Sequence, residues 1–235
     1  MNVVVPARAQ DRFLFIGAAI GIALVVFAGF ARTYYLKTWF DTPALPWFVH
    51  LHGLVMSSWI VLFFVQTFLI EKHRVDLHRR LGILGVVLAV VIVVLGMFLI
   101  IHAAAREVHA HSKHMHGFLA LLALDPYTLL VFATMVAYAI AVRHRRSDVH
   151  KRLMLLATLS LAVVAISRLP FPSVTWFWVV WGLLLFVPLA VDTVRHRRLH
   201  PVFGWGAPFL FVSSHAVFTF AHTPAWQHFA ERLVS

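Results

Sequence analysis

Long apolar runs separated by short polar segments dominate this sequence of 235 residues. Seven such runs occupy 13–31, 46–70, 81–101, 118–142, 153–169, 174–191 and 203–221. Most are close to the length of about 20 residues that an α-helix needs to cross the hydrocarbon core of a bilayer. The fifth and sixth runs are joined by LPFPSV, whose two prolines favour a tight turn between two helices. The pattern predicts an all-α, polytopic membrane bundle of about seven transmembrane helices, forming a single domain over residues 1–235.

The composition supports this prediction. Hydrophobic residues make up 61% of the chain and charged residues 12%, with a mean hydropathy of +0.86. The formal net charge is +11, but the basic residues fall in short clusters between apolar runs, so we expect contact with membrane lipids and no binding of nucleic acid. Cysteine is absent, which excludes disulfides, iron–sulfur clusters and haem attached through cysteine. A metal would have to bind to histidine, methionine or oxygen ligands.

The positions of Lys and Arg predict the orientation of the chain. The N-terminal tail and the segments EKHRVDLHRR, RHRRSDVHKR and VRHRRLH together hold fourteen of the twenty Lys and Arg residues. Because basic loops stay in the cytoplasm, we expect the N-terminus inside and the C-terminus outside. The first apolar run is longer than the apolar region of a signal peptide, about 7–15 residues, so we expect it to be retained as a span.

Two of the basic segments contain similar sequences. DLHRRLGILG at 76–85 matches DVHKRLMLLA at 148–157, and RHRRLH at 195–200 is a looser third copy. In one interpretation, each copy is a basic loop followed by a helix entrance, with Asp76 and Asp148 as N-caps and the arginines at phosphate headgroups. In the other, the copies derive from a duplication of helix pairs.

The predicted orientation divides the sixteen histidines between the two sides of the membrane. Six lie in cytoplasmic segments beside Arg and Lys: His73, His78, His144, His150, His196 and His200. Since neighbouring cations disfavour the binding of another cation and headgroup contact accounts for these positions, we expect these six histidines to lie at the interface and to bind no cofactor.

A second group of histidines is expected near the outer surface, at the ends of several helices. It comprises His50, His52, His102, His116, His215 and His222. Two imidazoles from facing helices can hold a non-covalent haem b, and arginines can bind its propionates. The expected axial ligands are His50 or His52 with His102, His116 or His215, and the expected propionate contacts are Arg32, Arg106 and Arg168.

The segment VHAHSKHMHG at 108–117 is expected to form a long outer loop. Its imidazoles and thioether suit copper or zinc, and the candidate metal ligands are His109, His111, His114, Met115 and His116. The alternative is a solvated polar loop that avoids permanent charge.

Asp125 is the only acidic residue clearly inside a predicted span, and Arg168 ends the fifth span on the same side. A carboxylate in hydrocarbon normally faces the bundle interior and has a partner. We expect either a structural Asp125–Arg168 pair or a functional proton- or substrate-binding group at Asp125. In another interpretation, Arg168 reaches the outer headgroups.

The segments HLHGLVMSSWIVLFFVQTFL, LHRRLG and HKRLML resemble a family of bacterial multispan membrane proteins of unknown function, over residues 32 to 170. The resemblance implies a polytopic helical fold in the bacterial inner (cytoplasmic) membrane. The chain is also faintly similar to haem-bearing bundles of the cytochrome b561 type, although its histidine spacing departs from their full pattern. This second similarity implies haem b.

Three functions are compatible with the sequence. The first is electron transfer through haem b near the outer surface, with a redox partner or a respiratory complex. The second is copper or zinc handling, including oxidase assembly, and the third is a proton-coupled carrier or a structural subunit. No nucleophile constellation, phosphate loop or paired-carboxylate site stands out, so the sequence identifies no enzymatic reaction.

The orientation can be tested at Ser112, in the histidine-rich segment. Because the positive-inside rule places this segment outside, Ser112→Cys should react with a membrane-impermeant thiol reagent in intact cells. Labelling that occurs only after lysis would reverse the predicted orientation. The cysteine-free parent chain provides the background control.

Overall fold

The fold is an all-α bundle, described by a computed structural model for residues 7–40 and 42–235. Its helices are α1 (Ala7–Phe30), α2 (Trp47–Glu71), α3 (Val75–His109), α4 (Met115–Val142), α5 (Ser147–Ile166), α6 (Val174–His196), α7 (Pro201–Ala221) and α8 (Pro224–Val234). A π-helical segment, Ala31–Tyr35, and a short 3₁₀ helix, Lys37–Trp39, follow α1. Seven helices in this described part are long and apolar enough to cross a membrane, which confirms the predicted number.

The helices extend beyond the apolar runs, and α3 shows this most clearly. It covers Val75–His109, whereas the apolar run covers 81–101. The added residues are mostly good helix formers, such as Ala, Leu, Arg and Glu, and they lie at the helix ends where polar groups can reach water or headgroups. The expected long loop at 108–117 is therefore wrong. Only Ala110–His114 separates α3 from α4.

The acidic residues of the repeated sequence are not N-caps. Arg74 and Arg146 occupy the N-cap positions of α3 and α5, and Asp76 and Asp148 lie in the first turns. Carboxylates in a first turn still stabilise a helix through its dipole. The predicted N-cap role is therefore wrong, and the two carboxylates act instead from a position two residues further along the chain.

Helix α8 was not predicted, because its eleven residues are too few to span a membrane. Its N-cap is Thr223, whose side chain accepts a hydrogen bond from the Trp226 backbone N–H at 3.3 Å. Ala230 and Val234 are buried against the end of α3 and the start of α4. The helix therefore covers the bundle end at which the histidine-rich segment lies.

Helix α5 is the centre of the bundle. In its apolar window 72% of the residues are buried, against 17% in α3 and α6. It packs against α1, α4, α6 and α7. A Cβ at Gly29 of α1 would collide with the backbone of Ala165 in α5, so the close approach of these helices requires a residue without a side chain.

Helices α2 to α5 also share a core of their own. Its buried members are Val55, Trp59, Ala89, Ile92, Leu129, Phe132, Val136, Ala157 and Leu161. The Trp59 ring of α2 meets the Phe132 ring of α4 edge-to-face, with 4.9 Å between centres. This contact shows which faces of α2 and α4 point into the bundle.

A buried ion pair joins α5 to α6. The Arg152 guanidinium donates to both Asp192 carboxylate oxygens, at 3.0 and 2.6 Å, and the two side chains are 3% and 0% exposed. A third nitrogen of Arg152 donates to the Asp148 carbonyl oxygen at 3.0 Å. Buried charges require this kind of pairing, because an unpaired one would lose its hydration without compensation.

Replacing one partner should therefore destabilise the fold strongly. Arg152→Met leaves the Asp192 carboxylate buried without its guanidinium partner, and we expect a loss of about 3–5 kcal/mol in the free energy of unfolding, measured by denaturant titration in detergent. The matched control is Arg80→Met, at the equivalent, exposed position of the first repeat copy, which should change stability by about 0.5 kcal/mol or less. Equal effects of the two substitutions would contradict the importance of the pair.

Candidate cofactor site

Two ends of the bundle carry polar side chains. The basic end comprises the segments between α2 and α3, α4 and α5, and α6 and α7, which contain Lys72–Arg74, Arg143–Arg146 and Arg197–His200. We call the opposite end of the bundle the loop end, and it comprises the segment Ala110–His114 and helix α8.

Two histidines of the repeated sequence face each other at the basic end. His78 lies in the first turn of α3 and His150 in the first turn of α5, and their ring centres are 6.4 Å apart with perpendicular planes. They occupy equivalent positions in DLHRR and DVHKR. The helices that carry them both border the α2–α5 core, so the repeat brings two imidazoles to one place.

The surroundings of the two rings leave ligand positions available. Nδ1 of His150 lies 2.9 Å from the Ala139 carbonyl oxygen of α4, to which it can donate. This hydrogen bond would leave Nε2 unprotonated, the form in which imidazole binds a metal. Nδ1 of His78 is buried and has no hydrogen-bond partner in the described chain. Gln66 of α2 donates to the His78 carbonyl oxygen at 3.2 Å, while its own side-chain oxygen is buried without a partner.

The expectation that all six histidines of the basic segments lie at the interface is therefore wrong. His73 and His144 are exposed, as expected, but His78, His150 and His196 are half-buried and His200 is buried. The physical reason is that α3, α5 and α6 extend into the basic segments. Their inward-facing positions there are occupied by histidine.

A polar network fixes the first turn of α5 beside His150. Nε2 of His200 lies 3.1 Å from the Asp148 carboxylate, and Nδ1 of His200 accepts from the Val202 N–H at 3.3 Å. Burial lowers the pKa of His200, which favours the neutral ring, and a neutral ring with its proton on Nε2 satisfies both contacts. Asp192 also lies near Nδ1 of His196, at 3.3 Å.

Asp192 was missed because the predicted sixth span ended at residue 191. Asp125 is therefore not the only acidic residue inside a long apolar helix, since α6 includes Asp192. The signal for Asp192 was weak, as VDTVRH reads as the start of a basic loop. Its partner Arg152 resembles one more cation of a different basic segment, RHRRSDVHKR.

The cofactor ligands predicted at the loop end are distributed over its surface. His50, His102, His116, His215 and His222 are all exposed. Their described ring contacts are with aromatic side chains and not with one another: Tyr34 for His50, Phe48 and Phe98 for His102, Trp178 for His215 and Phe218 for His222. Nδ1 of His116 lies 3.1 Å from the Gln227 side-chain oxygen, and Nδ1 of His222 lies 2.7 Å from the Phe218 carbonyl oxygen.

His52 differs from the other histidines of this group, because it is half-buried and its Nδ1 is buried without a hydrogen-bond partner in the described chain. The Arg168 guanidinium interacts electrostatically with His52 and with Asp125, and it lies 4.9 Å from the Phe30 ring centre. His52 lies seven residues before Trp59 on α2, and Asp125 lies seven residues before Phe132 on α4. Residues seven apart lie on nearly the same face of a helix, so His52 and Asp125 share the inward faces of Trp59 and Phe132.

The other predicted side chains lie in simpler surroundings. The Arg32 guanidinium stands 5.2 Å from the Phe40 ring centre, and Arg106 pairs with Glu107 at 2.8 Å. Among the metal-ligand candidates, His109, His111, His114 and His116 are exposed and Met115 is half-buried. Nowhere in the described chain do three or more His, Asp or Glu side chains lie close enough together to bind one metal ion.

Comparisons with protein-family models, with curated proteins and with solved structures found no match to this chain.

Proposed function

We propose that the chain is a membrane electron-transfer protein that holds a non-covalent haem b between His78 and His150. The observation that carries the proposal is this pair of facing imidazoles on two helices of the α2–α5 unit, one of them oriented by a backbone carbonyl. Sites of this kind are built in helical bundles from inward side chains of facing helices. The proposed site lies at the basic end, whereas the sequence pointed to the loop end.

The separation of the rings suits two axial ligands. A metal–imidazole bond is about 2.0 Å long and the ring centre lies about 1 Å behind the nitrogen, so two imidazoles on opposite sides of one iron have centres roughly 6 Å apart. The separation of 6.4 Å between His78 and His150 is close to this value.

The charge of the basic end also suits haem. Its two propionates are anionic, and arginine binds carboxylates through paired hydrogen bonds. Arg79, Arg80, Arg143 and Arg146 lie next to the two histidines in sequence or at the same helix ends, and all four are exposed. Cations would weaken the binding of a free metal ion there, but they would strengthen the binding of an anionic porphyrin.

When bound, haem would supply a one-electron centre. The contribution of the chain would be to present two imidazoles, with the tautomer of His150 fixed by the Ala139 carbonyl oxygen, at one end of the apolar core of α2 to α5. Electrons would pass to a redox partner or a respiratory complex in the same membrane.

The proposal predicts a haem spectrum that depends on both histidines. Purified wild-type protein should show a Soret band and a reduced-minus-oxidised difference spectrum, and His78→Ala and His150→Ala should each lose the bound haem. His73→Ala and His144→Ala, which change exposed histidines at the same end, should retain it. Wild-type protein without haem would refute the proposal. Loss in His52→Ala or His215→Ala, with retention in His78→Ala and His150→Ala, would move the site to the loop end.

A second candidate function is a proton-coupled carrier, favoured by His52, Asp125 and Arg168. His52 and Asp125 are half-buried on the inward faces of α2 and α4, and Arg168, exposed just after α5, acts on both electrostatically. Ionisable side chains at such positions of a membrane bundle mark proton or substrate pathways. Next to them, α1 ends in a π-helical segment, a feature often found at functional sites. Thr33 of this segment has a buried hydroxyl without a partner in the described chain.

The carrier hypothesis is tested with Asp125→Asn in vesicles that contain a trapped pH-sensitive dye. Small organic acids, amino acids and inorganic phosphate are offered in turn outside the vesicles. At least one solute should acidify the lumen with wild-type protein, Asp125→Asn should abolish this because it cannot carry the proton, and Asp76→Asn, which changes an exposed carboxylate, should not. No acidification with any solute, or equal rates for wild type and Asp125→Asn, would exclude the hypothesis.

A further inference from the structure

A cavity at the loop end collects several potential metal ligands. Its volume is about 330 Å³, and it is lined by Val108, His109, His111, Met115, Glu231 and Ser235. Two imidazoles, one thioether and one carboxylate thus border the same space. The side chains come from the end of α3, the short segment after it, the start of α4 and helix α8.

We propose that this cavity binds one copper ion, with His109, His111 and Met115 as the main ligands and Glu231 as an oxygen donor. The site lies at the opposite end of the bundle from His78 and His150, and it does not depend on the haem proposal.

Both imidazoles are oriented so that one nitrogen remains free. Nδ1 of His109 lies 2.6 Å from the Ala105 carbonyl oxygen, and Nδ1 of His111 lies 3.3 Å from the His109 carbonyl oxygen. Hydrogen bonds from ring nitrogens to carbonyl oxygens are the usual means of fixing the tautomer of a metal-binding histidine. In each ring Nε2 is then left for the metal.

The backbone at His111 forms the cap that ends α3. His111 has a φ of 48°, in the left-handed region, and the Ser112 N–H donates to the Glu107 carbonyl oxygen at 3.1 Å. This is a common way for a helix to end. Here it places the His111 side chain at the cavity, between the end of α3 and the start of α4.

Helix α8 brings Glu231 to the cavity and is held there by specific contacts. Trp226 donates from its indole nitrogen to the Leu119 carbonyl oxygen at 2.8 Å, and Gln227 contacts His116. These bonds fix α8 against α4, so Glu231 faces the cavity from a docked helix. His116 is occupied by Gln227, and His114 does not line the cavity, which reduces the five ligands expected from the sequence to three.

The donor types select copper over the other common metals. A thioether is a poor ligand for calcium, magnesium or zinc but a good one for copper(I), and imidazole suits copper as well. The ligands do not yet converge on one point. Binding therefore requires the side chains that line the cavity to move toward one another.

The test measures copper(I) binding to purified full-length protein by competition with a chromogenic chelator under anaerobic conditions. Wild-type protein should bind one copper(I) per chain. The double variant His109→Ala/His111→Ala should lose it, and Met115→Leu should bind copper(I) about tenfold more weakly while its affinity for zinc stays the same. His222→Ala, which removes an exposed histidine at the same end outside the cavity, should behave as wild type.

The fold of each variant is checked by its helical circular dichroism and its elution from a sizing column, because all three exchanged ligands lie at helix ends or in the short connection. The proposal is overturned if wild type binds no copper(I), if the folded double variant binds it as tightly as wild type, or if Met115→Leu leaves copper(I) affinity unchanged.

Discussion

The ion pair between Arg152 and Asp192 is the interaction on which the basic end of the bundle depends. Both side chains are buried, and each is the main charge partner of the other. Arg152 also holds the Asp148 carbonyl oxygen, and the Asp148 carboxylate contacts His200 at the start of α7. One turn of α5 is thereby tied to α6 and α7. His150 lies within that same turn, and its own contact with the Ala139 carbonyl oxygen orients its ring.

The two copies of the repeated sequence show how burial changes the role of a motif. In the second copy, Asp148, His150 and Arg152 each have a partner on a neighbouring helix. In the first, Asp76 pairs only with nearby Arg74 and Arg80 is exposed, while His78 alone points inward. The difference arises because α5 is surrounded by four helices, whereas most of the apolar window of α3 is not buried within the bundle.

Much of the fold could be predicted from the sequence, because a membrane span is a continuous apolar run and needs no information about its neighbours. The turn at LPFPSV was predicted for the same kind of local reason, and the structure has a short connection there between Ile166 and Val174. The site was harder to predict. Whether His150 contacts a headgroup or another imidazole depends on where α5 begins and on which helices lie beside it. Hydropathy predicts only the apolar part of a helix, so it does not predict that α5 begins at Ser147, before the charged residues. Helix α8 was missed for a related reason, since its stability comes from docking on α3 and α4.

The His78–His150 pair and the side chains of His52 and Asp125 lie at opposite ends of the apolar core of α2 to α5. Gln66, beside His78, follows His52 by fourteen residues on α2, which corresponds to roughly 21 Å along a helix. The space between them is filled by the Trp59–Phe132 contact and its aliphatic neighbours. The buried members of this core are apolar, although the hydroxyls of Thr128, Thr158 and Ser160 are buried on the same helices, α4 and α5. The packed side chains therefore separate the two groups of ionisable residues along α2. The helices are long enough for an apolar middle and polar residues at both ends, and this length keeps the two groups of ionisable residues apart.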